Sequence, residues 1–266
     1  RLIDVYTNDW RVEVLDDQSA GKGVSKSPGA RYPVDWPRCH FQPAEGMVLR
    51  RSKDHGKTWG PRIPITPNTG IQHAANNACL RRLSTGRLLL SCRKYVKEMV
   101  GTVRWPYCVY SDDDGKTWQT GRHVPDPGLD DELKAGQNVN EPSVAEIGDG
   151  RLLMTMRSIA GGQFFSWSSR LGGTWTKPCL APRRGECSPA TIKRIPGTGD
   201  LLAVWTYGFQ GRTPLVSAIS SDGDKAWKHL KLIEQSLAHG YCYTSVTFAG
   251  NRVFLTYMHY PLEEWV

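Results

Sequence analysis

Two arginines stand where they could bind an acidic ligand. Arg157 closes the regular apolar run 152–156, and Arg212 precedes a second apolar segment at 215–219. A planar guanidinium group holds a carboxylate through two parallel hydrogen bonds and stabilises developing negative charge. The chain carries a net charge of +8, which favours the approach of acidic ligands. The alternative is that both arginines are ordinary strand-end residues bonded to internal carboxylates.

Glu141 and Tyr243 offer acid–base and nucleophilic chemistry. A tyrosine hydroxyl ionises near pH 10, so a nucleophilic tyrosine needs a base beside it, and a glutamate can serve. Glu141 directly precedes Pro142, which predicts an extended backbone at Glu141. Tyr243 lies in an aromatic-rich segment, and strand alternation predicts that it shares a face with Tyr241, the competing nucleophile. The alternative for Tyr243 is plain packing in the core.

The sequence shows no pattern typical of a metal or cofactor site. The chain has seven cysteines but no C-x-x-C pair, which argues against zinc. The acidic run 112–114 lacks the spacing of an EF-hand loop. Several cysteines sit inside apolar strand patterns, so we expect buried free thiols, although Cys179 and Cys187 could form a disulfide in an oxidising compartment. We expect neither a metal nor a cofactor.

An octapeptide of the form S-x-D-x-G-x-T-W recurs and indicates the elements that position these side chains. We call its copies the first to fourth box; they stand at 52–59, 111–118, 168–175 and 220–227, the last two in altered form. Successive boxes begin 59, 57 and 52 residues apart, a period typical of repeat architectures. Ser and Asp can bind the backbone amides of a tight turn, Gly can adopt a positive φ, and Trp can fold back as an apolar plug. We therefore expect each box to be a structural turn.

The segments before each box predict short antiparallel strands. In the third repeat an apolar segment at 143–147 is followed by a tight Gly-containing turn at 148–150 and a second apolar segment at 151–157. The strand that leads into the box comes next, and the neighbouring repeats have the same order. A further strand is expected after the box. Four short antiparallel strands per repeat are typical of a β-propeller blade.

The blade count follows from the period and the chain length. A ring of six blades with this period needs roughly 330 residues, whereas the chain has 266. We therefore expect an all-β, six-bladed β-propeller that is incomplete at both ends. We expect a single domain over 1–266, with a long inserted loop at 8–45 in the first blade. Weak helix-like patterns are confined to 130–135 and 230–237.

Further motifs resemble those of a known family. They are, in order, Asn140-Glu141-Pro142-Ser143, the run Gly-Arg-Leu-Leu-Met-Thr-Met-Arg at 150–157, Cys187-Ser188-Pro189-Ala190, Arg212-Thr213-Pro214-Leu215 and Tyr243-Thr244-Ser245-Val246. The boxes look like the Asp boxes of the sialidase superfamily. The order and spacing of the motifs, over nearly the whole chain, resemble the bacterial exo-sialidase-like group. This resemblance implies a six-bladed propeller that removes terminal sialic acids.

The resemblance also implies roles for the four candidate residues. Arg157 and Arg212 match the second and third members of an arginine triad that grips the substrate carboxylate. Tyr243 matches the nucleophile, and Glu141 matches the carboxylate that takes the proton of the tyrosine. Sialidases with a tyrosine nucleophile are a known exception among glycosidases. No metal or cofactor is implied.

Two parts of the family's site have no direct match in the sequence. The first triad arginine would lie upstream of Arg1. The acid/base aspartate would lie in the segment 8–45, where Asp35, Asp9 and Glu45 are the candidates.

The sequence supports three hypotheses about function. The first is an exo-glycosidase that hydrolyses terminal α-ketosidic sialic acid, or a related acidic sugar, through a tyrosine nucleophile. The second is a non-catalytic carbohydrate-binding propeller, and the third a polysaccharide lyase or another uronic-acid enzyme on the same scaffold. We expect an acidic glycan as the partner. Nucleic acid is not expected because Lys and Arg are scattered, and no apolar run approaches the ~18 residues of a membrane span.

Overall fold

The protein is described from a computed structural model. The described residues are 11–15, 47–66, 72–98, 101–128, 139–185, 188–208, 211–223 and 225–262. Within these ranges the regular structure consists of β-strands and one short 3₁₀ turn at Gly148–Gly150. The expected all-β class is confirmed.

The described strands form five antiparallel sheets, each a meander of neighbours in chain order. The first sheet contains β1 (Arg11–Leu15), β2 (Val48–Ser52) and β3 (Ile63–Pro64). The second contains β4 (Gln72–Arg82), β5 (Leu88–Glu98), β6 (Gly101–Ser111) and β7 (Gln119–Thr120). The third contains β8 (Asn140–Glu146), β9 (Leu152–Arg157), β10 (Gly162–Ser168) and β11 (Cys179–Arg184). The fourth contains β12 (Thr191–Arg194), β13 (Leu201–Thr206), β14 (Leu215–Ser220) and β15 (Lys228–Glu234), and the fifth contains β16 (His239–Ala249) and β17 (Arg252–Pro261).

These sheets are the expected propeller blades. The second, third and fourth sheets each have the four strands of a complete blade. The five described sheets do not close into a ring, which agrees with an incomplete propeller. No helix in the described ranges has the length and apolarity needed to cross a membrane.

Strand β1 lies inside the segment 8–45, which the sequence assigned to a loop. Its five residues pair antiparallel with β2 at every position. Val12 and Val14 alternate with charged neighbours, which is a strand pattern, but it is short and surrounded by Gly- and Pro-rich sequence. The loop prediction is therefore wrong for these residues. The remainder of 8–45 lies outside the described residues.

The weak helix-like pattern at 230–237 does not form a helix, and the strand expected after the fourth box lies there instead. Strand β15 occupies Lys228–Glu234 and pairs antiparallel with β14. Its side chains are mostly exposed, and charged residues are common on such edge strands because they hinder pairing with another chain. The other helix-like segment, 130–135, lies outside the described residues.

The first two boxes form the predicted turns through the same three hydrogen bonds. In the first box, Ser52 Oγ donates to Asp54 Oδ1 at 2.7 Å and accepts from the Gly56 amide at 2.7 Å. Asp54 Oδ1 also accepts from the Thr58 amide at 2.9 Å. The corresponding distances in the second box are 2.7, 2.7 and 2.9 Å. The turn is therefore a closed network of side chain and backbone, as the residue types indicated.

The altered boxes each keep part of this network. In the third box, which lacks the Asp, Ser168 Oγ still accepts from the Gly172 amide at 3.0 Å. In the fourth box, which lacks the Gly and Thr, Asp222 Oδ1 accepts from Ser220 Oγ at 2.8 Å and from the Ala226 amide at 3.0 Å. The turn thus survives the loss of individual residues.

The core lies between adjacent sheets and follows strand alternation. On β9, Leu152, Met154 and Met156 pack in a cluster shared with the second sheet, whereas Leu153 packs in a cluster shared with the fourth sheet. These side chains are fully buried. Because successive side chains of a strand point to opposite faces, β9 is buried on both faces. Trp175 belongs to the first of these clusters and Trp227 packs against the second, whereas Trp118 packs against a third cluster, between the first and second sheets.

The expectation of buried free thiols is confirmed for four of the five cysteines in the described strands. Cys79, Cys92, Cys108 and Cys242 are buried and not oxidised. Cys179 is an exposed free thiol, and Cys187 lies outside the described residues.

The first box should contribute to the acid stability of the protein. Hydrogen bonds from Thr58, and then from Ser52, lower the pKa of Asp54 to about 2 from a usual value of 3.8. Because the folded pKa is depressed, the stabilisation is present above about pH 4 and is lost as the pH falls through about 2. We expect Asp54→Asn to lose less stability than the wild type between about pH 5 and pH 2, measured as the free energy of unfolding in urea.

The matched control is Asp200→Asn, the same chemical change in a turn outside the boxes. An Asp54→Asn protein with the wild-type dependence of stability on pH would contradict the prediction.

Candidate active site

The four candidate residues lie at one end of the sheets, opposite the boxes. Asn140 pairs with Arg157, so the beginning of β8 adjoins the end of β9. Arg212 lies just before β14, and Tyr243 lies in the first half of β16. The second, third and fourth boxes follow the third strand of their sheets, which in an antiparallel meander is the other end. The boxes and the four candidate residues therefore lie at opposite ends of the sheets.

Glu141 departs from regular strand geometry. Its φ is +48°, in the left-handed region that non-glycine residues rarely adopt. The register between β8 and β9 shifts between Asn140 and Ser143. The extended backbone predicted from Pro142 is therefore wrong, because this irregularity overrides the local preference. A bulge of this kind turns a side chain out of the normal alternation.

Tyr243 has the same kind of distortion and reaches Glu141. Its φ is +51°, and the register between β16 and β17 shifts between Cys242 and Ser245. The Tyr243 hydroxyl donates to Glu141 Oε1 at 3.1 Å. Two irregular strand positions, 102 residues apart in sequence, thus form one hydrogen bond.

Tyr241 occupies a different environment. Its ring stacks on His259 with a centroid distance of 5.3 Å and an interplanar angle of 6°, and it is buried beside Val204 and Leu215. The register shift after Cys242 interrupts the alternation on which the shared-face prediction rested. Tyr241 is a core residue, which favours Tyr243 as the nucleophile candidate.

Two arginines hold the carboxylate of Glu141. Arg157 Nη1 donates to Glu141 Oε2 at 3.0 Å. Arg93 Nη1 lies 3.1 Å from Glu141 Oε1, the oxygen that also accepts from Tyr243. The side chain of Glu141 is 5% exposed, and those of Arg157 and Arg93 are 14% and 15% exposed. Burial strengthens the attraction between these charges but also costs desolvation, so removal of one partner would leave an uncompensated buried charge.

Arg93 was not among the residues predicted from the sequence, although the repeat contains a signal for it. It is the last residue of the segment 86–93, which has the same form as 150–157, where Arg157 is last. The two arginines therefore hold equivalent positions in neighbouring blades. Alignment of the repeats with one another would have identified Arg93.

Arg212 joins the cluster through Tyr243 and Cys242. Its Cζ lies 5.3 Å from the centroid of the Tyr243 ring, and its Nη1 donates to Cys242 Sγ at 2.9 Å. The φ of Arg212 is +53°. A guanidinium near an aromatic ring is an attractive arrangement. All four predicted residues are thus brought together, three of them by direct hydrogen bonds.

The surroundings favour the neutral form of Tyr243. Burial raises the pKa of its phenol above the usual 10, and the negative charge of Glu141 raises it further. Arg212 and Arg157 act in the opposite direction. Near neutral pH the phenol therefore carries its proton and can donate it to Glu141.

The acid/base candidates Asp9, Asp35 and Glu45 lie outside the described residues. Within the described part of the chain, no group of three or more His, Cys, Asp or Glu residues is arranged to hold a metal.

The sheets define the class of the protein: it has the fold of the sialidase β-propellers. The solved structure of the Hadza microbial sialidase Hz136 matches with a TM-score of 0.64 and 20% sequence identity, over 82% of this chain and 44% of that chain. The chain belongs to the BNR repeat-like domain family, whose model matches residues 33–259.

Two sialidases are similar in sequence. The sialidase of Bacteroides fragilis (strain YCH46) is 26% identical in a match that covers 90% of this chain and 43% of that protein. The sialidase of Paraclostridium sordellii is 28% identical over 134 residues, which is 47% of this chain and 30% of that protein. The chain thus spans less than half the length of these relatives.

Removal of the Glu141 charge should make Tyr243 easier to ionise. Because the carboxylate raises the pKa of the phenol, we expect Glu141→Gln to move the titration of Tyr243 to lower pH. The measurement is the phenolate absorbance of each protein minus that of its Tyr243→Phe counterpart. An unchanged or higher midpoint would show that Glu141 does not act on Tyr243.

Proposed function

We propose that the protein is an exo-glycosidase of the sialidase type, which hydrolyses terminal α-ketosidic sialic acid or a related acidic sugar. The observation that carries the proposal is the hydrogen bond from the Tyr243 hydroxyl to Glu141 Oε1 at 3.1 Å. It pairs a phenol with a buried carboxylate at one end of a sialidase-like propeller. A nucleophile and base within hydrogen-bond reach are the arrangement that covalent catalysis requires.

A phenol suits this class of substrate. Sialic acid carries its own carboxylate on the anomeric carbon, so an aspartate or glutamate nucleophile would be repelled by the substrate. A neutral tyrosine avoids this repulsion, and it gains nucleophilicity when a neighbouring base removes its proton. The neutral form favoured at Tyr243 agrees with such a role.

The reaction would proceed in two displacements. The substrate carboxylate binds Arg157 and Arg212, whose guanidinium groups can form bidentate hydrogen bonds. Tyr243 Oη attacks the anomeric carbon as Glu141 Oε1 accepts its proton, and the glycosidic oxygen leaves with a proton from a general acid. Water then attacks the anomeric carbon as the deprotonated general acid takes its proton, the bond to Tyr243 Oη breaks as Tyr243 regains its proton from Glu141, and the sugar is released.

The general acid would come from Asp35, Asp9 or Glu45. The proposal requires neither a metal nor a cofactor, since the guanidinium groups bind the anion and the phenol supplies the nucleophile. An acidic glycan also agrees with the net charge of +8.

The test is release of the fluorophore from a fluorogenic sialoside by the complete protein. We expect Tyr243→Phe to abolish turnover, because the variant keeps the ring and lacks the nucleophilic oxygen. Tyr241→Phe is the matched control: it makes the same change two residues away, in the core, and should keep nearly full activity.

Two results would overturn the proposal. One is a complete wild-type protein that releases no sugar from any sialoside or related acidic glycoside. The other is a Tyr243→Phe protein as active as Tyr241→Phe. Binding of an acidic glycan without release would indicate a carbohydrate-binding propeller instead.

A further inference from the structure

Arg93 is a third cationic residue at the site, and it comes from a different blade than Arg157. It lies on β5 in the second sheet, where it pairs with Pro106 of β6, whereas Glu141 and Arg157 belong to the third sheet. The contact of 3.1 Å from Arg93 Nη1 to Glu141 Oε1 therefore crosses from one blade to the next. It connects two sheets at the point where the proposed base lies.

The two oxygens of Glu141 have different partners. Oε2 accepts from Arg157, and Oε1 is contacted by both Arg93 and the Tyr243 hydroxyl. A carboxylate gripped at both oxygens by planar guanidinium groups cannot turn about its last torsion without breaking these bonds. Arg93 thus fixes the direction of the oxygen that faces Tyr243.

Arg93 also compensates the charge of the Glu141 carboxylate. A cation within hydrogen-bond distance favours the ionised form of a carboxylate, whereas burial disfavours it. The carboxylate of Glu141 is 5% exposed, so its charge needs compensation from its neighbours. Arg93 supplies part of this compensation, together with Arg157.

From these contacts we propose that Arg93 is a positioning residue that directs the Glu141 carboxylate at Tyr243. This inference rests on the proposed function, in which Glu141 accepts the proton of Tyr243. Arg93 acts through Glu141 and has no separate step in the reaction.

The first experiment compares Arg93→Gln with the wild type in the complete protein. Because the base is misdirected and its cation removed, we expect kcat to fall by about tenfold to a hundredfold while KM stays within about threefold. The acid limb of the pH–rate profile should move to higher pH by about one unit or more.

Two further variants separate this role from packing and from general charge. Arg93→Lys keeps a cation but lacks the planar fork, so we expect the acid limb to return towards its wild-type position while kcat recovers only in part. Lys94→Gln removes a positive charge from the next residue, which strand alternation places on the opposite face of β5. It should leave both kcat and the acid limb unchanged.

A second measurement does not depend on activity. In protein labelled with ¹³C at the glutamate carboxyl carbons, Glu141 is assigned by the resonance that disappears in Glu141→Gln. We expect the chemical shift of this resonance near neutral pH to change in Arg93→Gln, because the carboxylate loses one guanidinium contact, and to keep the wild-type value in Lys94→Gln.

The outcomes distinguish the inference from the proposed function. If the wild type hydrolyses sialosides but Arg93→Gln leaves the acid limb and the carboxyl resonance of Glu141 unchanged, the Arg93 inference is wrong. A rise in KM alone would likewise overturn it, because Arg93 would then contact substrate. A wild type that is inactive refutes the proposed function, and with it the role of Arg93 in that reaction, even if the carboxyl resonance moves.

Discussion

The buried carboxylate of Glu141 joins three blades of the propeller at one point. Arg93 reaches it from the second sheet, Arg157 from the third and Tyr243 from the fifth. A buried carboxylate is tolerated only when its charge is compensated and its lone pairs are used. Strand ends from three sheets therefore contact one side chain. Arg93 and Tyr243 each lie 3.1 Å from Glu141 Oε1.

The backbone at this end of the propeller is held in an uncommon conformation. Glu141, Arg212 and Tyr243 all have a positive φ near +50°. Each such residue costs roughly 1–2 kcal/mol relative to a normal conformation. Strain of this size persists where the surrounding structure fixes it, and it is common at functional sites. Here the clusters buried between the sheets, and the box turns at the other end of the sheets, provide a rigid frame.

Most of the fold was predictable because it follows from local rules. Alternating apolar residues on β9 bury one set of side chains against each neighbouring sheet, and the box residues form their turn within eight positions. Strand β1 was missed because five residues give too little periodicity against a Gly- and Pro-rich background. The weak helix-like pattern at 230–237 arises because edge strands carry charged residues that blur the alternation, and the strand expected after the fourth box lies there.

The sequence by itself determined the propeller, the positions of the boxes and the residue types that suit an acidic sugar, since these depend on repeats and short-range patterns. Glu141, Arg157, Arg212 and Tyr243 were also found from motifs. The tertiary structure alone decided that the hydroxyl of Tyr243 meets Oε1 of Glu141 and that Arg93 shares that oxygen. These contacts join residues far apart in the chain through two irregular strand positions, and the distortion overrides the extended backbone that Pro142 favours at Glu141. The local sequence pattern specifies where a strand forms. The irregular backbone at Glu141 and Tyr243 depends on the neighbouring blades that pack against these strands.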